Sequence, residues 1–324
     1  MNILVTGGAG YIGSHVVKLL TEQNYNPIIF DNLSRGHIEA VPNGIPFENV
    51  DLLDKESLTK AVSKYKIDAV IHFAAFAYVG ESVEDPLMYY RNNVVGSFNL
   101  FSTLKDFGIL KSVFSSTCSI YGNPVSVPIS EVQASNPINP YAKTKLMVEE
   151  ILADYDTAYN MKSVCLRYFN AAGASADSSI GESHDPEPHL IPLVLFAALG
   201  KRDSIKIFGT DYDTPDGTCI RDYIHVEDLA DAHVRALKYL IDGKPSNIIN
   251  LGTGDGNSVK DVIDSARRIT GRDIAEVIAP RREGDPARLV ADNTKAREVL
   301  GWIPKYDING VLETAWKWHL NPKY

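Results

Sequence analysis

Through the first half of the chain, short apolar runs alternate with stretches whose apolar residues recur every three or four positions. Residues 3–5, 27–30, 47–50, 69–73, 112–116 and 163–166 read as strands, each apolar and bounded by polar or turn-forming residues. Helical patterns fill gaps at 55–65, 85–107 and 141–159. A strand buried on both faces loses the polar half of its alternation, as these do. The βαβα order therefore predicts an α/β fold built on a doubly wound parallel sheet. Past residue 170 the pattern changes. Residues 171–188 are rich in Gly, Ser, Asp and Pro and read as loop; shorter strands follow, with helices over 226–240, 259–270 and 311–319.

Composition narrows the class. The 324 residues are 44% hydrophobic and 23% charged, ordinary values for a globular chain long enough for one large and one smaller domain. The formal net charge of −9 offers no basic field for nucleic acid or an anionic membrane, so neither is an expected partner. An anionic small molecule would need a local Arg or Lys cluster. Cys118, Cys165 and Cys219 are odd in number and widely spaced, which fits a reducing compartment better than a disulfide frame. The first residues enter a strand with no secretory pattern, and no run of about 18 apolar residues occurs, so a cytoplasmic location is expected. No two histidines share one element at ligand spacing, so no metal is expected. Trp302, Trp316 and Trp318 read as core and surface anchors.

Strand 3–5 runs into Thr6-Gly7-Gly8-Ala9-Gly10-Tyr11-Ile12-Gly13 and then a helix. Glycines at 7, 10 and 13 let the backbone turn sharply and approach a pyrophosphate at the positive end of that helix. Asp31 closes the second strand, where a carboxylate accepts from ribose hydroxyls and repels a 2′-phosphate, favouring NAD over NADP. Arg35 nearby is the one residue that would speak for NADP. Asp51-Leu52 after the third strand reads either as an adenine flank or as a surface loop. Farther on, Tyr141 and Lys145 stand four apart and share a face if helical. A cation beside a phenol favours the phenolate and makes a general base. The pair follows Ser115-Ser116-Thr117 at the C-terminal end of a strand, where doubly wound sheets place ligands.

These motifs, with His72-Phe73-Ala74-Ala75, resemble an extended short-chain dehydrogenase/reductase. Val79-Gly80-Glu81-Ser82, Leu166 to Asn170, Asp216-Gly217-Thr218, Ile220 to Val226 and Pro280 to Asp285 are similar to the UDP-glucose 4-epimerase family, in order along nearly the whole chain. The resemblance implies a Rossmann NAD domain over 1–169 and a mainly UDP-sugar-binding domain over 170–324, with segments such as 248–251 returning to the first sheet. It implies Tyr141 as base, assisted by Lys145 and Thr117. Gly7, Gly10, Tyr11, Ile12, Gly13, Asp31, Asn32, Asp51, Leu52, Phe73, Ala74, Ala75, Asn92, Tyr141, Lys145 and Tyr168 would hold NAD. Thr117, Tyr141, Asn170, His189, Leu190, Lys206, Phe208, Arg221, Tyr223, Arg282 and Asp285 would hold the UDP-sugar, the two arginines supplying charge for its diphosphate. Helices 85–107 and 141–159 would pair two copies into a homodimer.

Several positions depart from the commonest pattern of the family. Thr117 stands where Ser is frequent, Ala77-Tyr78 where Lys-Ala is frequent, His189 where Asn is frequent, and Leu289 where some members carry a larger aromatic. Ala77-Tyr78 with Ser116-Thr117-Cys118 also resembles epimerases of UDP-xylose and UDP-arabinose, and UDP-N-acetylhexosamines are a further alternative. A nucleotide-sugar 4,6-dehydratase would carry Asp-Glu after Thr117, where this chain has Cys118-Ser119. A non-catalytic NAD-binding regulator would be expected to lose Tyr141 or Lys145.

Overall fold

The computed structural model describes residues 1–282 and 285–324; Glu283 and Gly284 of the 280–285 motif lie outside the described residues. The strands are β1 (Asn2–Thr6), β2 (Asn26–Asp31), β3 (Phe47–Asn49), β4 (Ala69–His72), β5 (Lys111–Ser115), β6 (Lys162–Tyr168) and β7 (Asn170–Ala172). Then come β8 (Ile205–Phe208), β9 (Ile220–His225), β10 (Asn247–Leu251), β11 (Gly256–Ser258), β12 (Glu276–Ala279) and β13 (Arg288–Leu289). The chain divides into two compact units. The first comprises residues 1–122, 134–167 and 230–249, and the second residues 123–133, 168–229 and 250–324.

The first unit is built on a seven-stranded sheet in the order β10-β6-β5-β4-β1-β2-β3. The registered pairs β1·β2, β1·β4, β2·β3, β4·β5 and β5·β6 are all parallel. Strand direction of travel through the sheet reverses between β1 and β4, the place where doubly wound sheets open a crevice at their C-terminal ends. Leu4, Phe30, Val70, Phe114 and Cys165 from the strands pack with Leu58, Leu100, Leu104 and Leu152 from the helices in one buried cluster. Helix α1 spans Tyr11–Glu22 and α2 spans Lys55–Ser63, capped by the Asp54 side chain on Ser57 N–H.

The pattern over 85–107 predicts one helix. A short α3 (Val79–Glu84) precedes it, and the helical backbone then runs without a gap through α4 (Pro86–Tyr89), opened by the Asp85 cap, a π-helical stretch over Tyr90–Val95, and α5 (Gly96–Asp106). Wide π turns cluster where a side chain is re-aimed for function. Here Asn93, 1% exposed, is turned inward to bond Phe76 N–H and C=O and Thr144 Oγ1 at 2.9, 3.0 and 3.1 Å. Helix α6 (Pro140–Tyr159) follows, with Asn139 as its cap and Pro140 in its first turn.

In the second unit β9 is flanked by β7, β11 and β13, and β8 pairs β12 in parallel. Helices α7 (Leu190–Ala198), α8 (Val226–Ile241, shared between the units), α9 (Val259–Thr270), α10 (Thr294–Leu300) and α11 (Ile308–Leu320) complete the chain. Val194, Leu195, Val262, Ile263, Val311 and Leu312 interlock as the second core. No helix among the described residues is long and apolar enough to cross a membrane.

Candidate functional site

Gly7 has φ +72°, a backbone conformation that glycine alone adopts cheaply, and its N–H donates to Phe30 C=O at 2.8 Å. The turn is tight. A Cβ on Gly13 would stand 2.1 Å from Gly7 O, and one on Gly7 would stand 2.7 Å from Ala74 N. The segment Phe73 and Ala74 lies equally close because both N–H groups donate to Thr6 C=O. Gly10 begins α1 without a side-chain cap, and the first turn carries no acid, so that helix end presents bare N–H groups suited to an anion. We expect Gly13→Ala to weaken NAD retention by roughly tenfold or more, read as the cofactor content of purified protein; undiminished content would place the pyrophosphate elsewhere.

Asp31 ends β2 and is 8% exposed. Its Oδ2 accepts from Ala9 N–H at 3.0 Å and its Oδ1 from Leu33 N–H at 2.8 Å. Burial raises its pKa, while those two backbone donors pull it back. A carboxylate has lone pairs beyond these two bonds, enough to receive ribose hydroxyls. Asn32 Nδ2 donates to Asp51 Oδ2 at 3.3 Å, so these two residues share one polar edge, and Leu52 C=O accepts from Asn99 Nδ2 at 3.0 Å. Arg35, the residue that would favour a 2′-phosphate, is instead paired with Glu81 at 2.5 Å and lies over the Phe76 and Tyr78 rings. The residues therefore fit NAD. Tyr11 and Ile12 open α1 half-buried; Ala75 and Asn92 are half-buried near the inward-turned Asn93, to which Asn92 Nδ2 donates at 3.0 Å. Phe73 meets the His233 ring at a tilt, with centroids 4.7 Å apart, and Tyr168 ends β6.

Tyr141 and Lys145 do share one face of α6, and both are buried, at 7% and 3% exposure. Tyr141 meets the Tyr89 ring edge-on at 6.4 Å. Lys145 Nζ donates to Ser115 C=O at 2.8 Å and lies over the Phe114 ring at 4.9 Å. That bond ties the pair to the C-terminal edge of β5, two residues before Thr117. Thr117 is 5% exposed and caps the turn Cys118–Tyr121, its Oγ1 accepting from Ser119 N–H at 3.2 Å. Burial pushes Lys145 from 10.5 down to about 7, against the opposing pull of Glu149. His72 is pushed down to about 3 by burial and by Lys145, and stays neutral between Thr6 Oγ1 and Ser97 Oγ.

The depressed lysine predicts a pH-dependent stability. Its folded pKa lies below the unfolded one, so the unfolded chain binds more protons between about pH 7 and 10.5 and stability rises with pH across that window. In cofactor-free protein, Lys145→Met should therefore raise the unfolding free energy most below pH 7, by on the order of 2–4 kcal/mol, read by urea unfolding at each pH. The gain should fade towards pH 10. A gain that is flat with pH would show that the ammonium is not desolvated.

The second unit gathers the other candidate residues. Lys206 and Phe208 lie on the outward face of β8, and the Arg282 guanidinium stacks over the Phe208 ring at 4.1 Å. On β9, Arg221 is paired with Asp285 and donates to Ile220 C=O at 2.8 Å. Tyr223 is two residues on, in the second core, registered against Asn170, whose Nδ2 donates to Asp222 C=O at 3.1 Å. His189 and Leu190 begin α7, but the His189 ring is turned onto Glu182 and Glu187, with Nδ1 2.8 Å from an oxygen of each.

Three buried polar groups escaped the sequence reading. Asn93 is one. Glu149 and Arg167 form a buried ion pair, 5% exposed each, that also takes Ser116 and Tyr121. Asp222 is fully buried and receives Thr253 N–H and Oγ1–H at 2.8 Å and Gly254 and Ala291 N–H at 3.1 Å. Charged residues lack a periodicity of their own, and only burial distinguishes these from surface ones.

Residues 3–252 match the profile of the NAD dependent epimerase/dehydratase family. The chain belongs to that family. A UDP-glucose 4-epimerase of Rhizobium leguminosarum bv. trifolii is 52% identical over 317 residues, covering 98% of this chain and 97% of the relative. A crystal structure of UDP-glucose 4-epimerase from Brucella ovis in complex with NAD superposes with a TM-score of 0.95 at 51% identity, covering 98% and 97% of the two chains. The Stenotrophomonas maltophila UDP-glucose 4-epimerase, solved with NAD and formylated UDP-arabinopyranose, gives 0.96 at 40% identity over 99% and 98%. The doubly wound sheet expected from the strand pattern is thus the family's architecture.

Proposed function

We propose that this chain is a UDP-glucose 4-epimerase, an isomerase that interconverts UDP-glucose and UDP-galactose with NAD retained as a prosthetic group. The observation that carries the reading is the buried Tyr141–Lys145 face of α6, anchored by Lys145 to Ser115 C=O. Relatives named UDP-glucose 4-epimerase at about half identity over nearly full length support the same sugar. Gly7, Gly10, Gly13 and Asp31 would hold NAD, which when bound would supply reversible hydride acceptance at C4 of the sugar.

Tyr141 takes the proton of the 4-hydroxyl and later gives it back to the 4-keto oxygen. Lys145 holds positive charge beside the phenolate and favours that form. Thr117 holds the hydroxyl under attack. Arg221 and Arg282 grip the diphosphate, Asp285 fixes the Arg221 fork, and Phe208 backs Arg282. Asn170, Leu190, Lys206 and Tyr223 complete the UDP side, whereas His189 has its ring turned onto Glu182 and Glu187. A tight diphosphate grip with few bonds to the sugar ring lets the keto sugar present either face. Cys118-Ser119 after Thr117 supply no acid to eliminate water, which favours epimerisation over dehydration.

The same reading includes a homodimer, supported by apolar side chains left in the open on the helices expected to pair: Leu87 (75% exposed), Val95 (47%), Phe98 (46%) and Met147 (40%). A reducing, cytoplasmic setting is supported by Cys118, Cys165 and Cys219, none of which is in a disulfide. The test is incubation of purified protein with UDP-galactose and no added NAD, followed by proton NMR of the anomeric signals. Appearance of UDP-glucose is expected. No conversion even with NAD supplied would overturn the assignment.

A further inference from the structure

The loop between β7 and α7 brings four potential ligands to one point in the second unit. Glu182, His184, Glu187 and His189 each turn one donor atom inward, and all these atoms lie within 4.8 Å of one another. His184 Nδ1 is 3.3 Å from Glu182 Oε1 and 3.3 Å from Glu187 Oε2; His189 Nδ1 is 2.8 Å from Glu182 Oε1 and 2.8 Å from Glu187 Oε1. Four ligands around a divalent ion at bonds of about 2.0–2.1 Å are separated by roughly 3.3 Å. The four His–Glu spacings of 2.8–3.3 Å are at or just under that edge length, and the donor atoms as a set lie within 4.8 Å of one another, so an ion would spread the closest donors and draw the widest ones together.

Burial makes the cluster demanding. The Glu182 and Glu187 side chains are only 3% and 5% exposed. Among the described residues they pair with the two histidines and with no Lys or Arg. Two carboxylates in such a place need two positive charges. Protonating both imidazoles supplies them, and so does a single divalent ion bound to two neutral imidazoles, with release of the protons. The loop is also held from behind. Trp318 Nε1–H donates to Glu182 C=O at 2.8 Å, and a Cβ on Gly181 would strike the Trp318 ring at 2.5 Å. His319, next to Trp318, has its Nε2 buried without a hydrogen-bond partner in the structure, and it lies close enough to feel both carboxylates.

We propose that Glu182, His184, Glu187 and His189 form a four-coordinate site for one zinc-class divalent cation. Two nitrogens and two carboxylate oxygens suit zinc and its cobalt surrogate, whereas magnesium and calcium prefer six or more oxygens. The site departs from the expectation of no metal because its ligands come from an irregular loop, E-x-H-x-x-E-x-H, and not from a helix face. The ion would clamp the loop that leads into α7. Its role is structural, and the proposal stands whether or not the epimerase reading does.

Cobalt(II) is the direct probe. The full-length protein, cleared of metal by chelator and dialysed, is titrated with cobalt chloride, and its visible spectrum is recorded. Intense d–d bands of a four-coordinate site, saturating at one ion per chain and displaced by zinc but not magnesium, are expected. Elemental analysis after zinc addition and gel filtration should return one zinc per chain. The zinc-loaded protein should melt roughly 5 °C or more above the chelated one. His184→Ala and Glu182→Gln should each abolish the cobalt bands and the zinc stoichiometry. The pale spectrum of hydrated cobalt in the wild type, or bands of equal intensity in both variants, would overturn the site. The wild-type spectrum decides the matter even if a variant fails to fold.

Discussion

Replacing Tyr141 with Phe is expected to lower kcat for UDP-galactose by roughly 10²- to 10⁴-fold, the span that one general acid–base group contributes. That corresponds to about 3–5.5 kcal/mol of barrier. The change removes one oxygen and keeps the ring, so the edge-on contact with Tyr89 and the burial of α6 should persist. NAD contacts attributed to the glycine turn and Asp31 are elsewhere on the first unit's sheet, so bound cofactor should stay stoichiometric. KM should move little, because the diphosphate grip is assigned to Arg221 and Arg282. A fall in kcat and kcat/KM together, with KM unchanged, marks an interaction made only as the proton moves. Activity within a few-fold of wild type would remove Tyr141 from the chemistry. Loss of NAD in the same variant would instead make it a cofactor residue.

Much of this was legible before any coordinates, for physical reasons that differ by element. Strands β1, β2, β4 and β5 match their expected spans to within about a residue because both faces are buried and the apolar run is continuous. Helix α9 matches residue for residue, since Ser258 and Asp261 form a capping box at its start and Gly271 takes the left-handed C-cap. The 85–107 stretch is helical from 86 to 106 as expected, with Asp85 as its cap; what the apolar pattern does not announce is the local widening to π turns over Tyr90–Val95, where Asn93 is turned inward. Strands β7, β11 and β13 are two or three residues long and owe their conformation to β9, so no local pattern announces them. The site divides in the same way. The glycine turn and the Tyr141–Lys145 pair have fixed spacings that follow from their chemistry, whereas the inward turn of His189 onto Glu182 and Glu187 depends on how an irregular loop folds back.

The second large effect is on stability. Arg167→Leu is expected to cost about 3–5 kcal/mol, the range for stripping one partner from a buried ion pair. Arg167 donates from Nε to Glu149 Oε1 at 3.0 Å and from Nη2 to Oε2 at 2.5 Å, while Nη1 donates to Tyr121 OH at 2.9 Å. Without it, Glu149, 5% exposed, keeps among the described residues the Ser116 hydroxyl at 2.5 Å as its hydrogen-bond donor and the more distant charge attraction of Lys145. Urea unfolding should show the midpoint falling while the slope m is preserved, the sign of lost stability and not of a changed unfolded state. The paired change Glu149→Leu with Arg167→Leu removes both charges, and it should recover most of the loss, since a buried ion pair is worth little over well-packed apolar residues. The pair is then retained for another reason. Glu149 lies on α6 eight residues beyond Tyr141 and four beyond Lys145, and Arg167 lies on β6, so the bidentate fork fixes that helix in register against the sheet. The double variant should accordingly unfold near the wild-type midpoint yet turn over more slowly, with KM and NAD content unchanged. A double variant with full kcat would show that packing alone sets the register of α6. A single Arg167→Leu variant that loses less than about 1 kcal/mol would mean that water reaches Glu149 in solution.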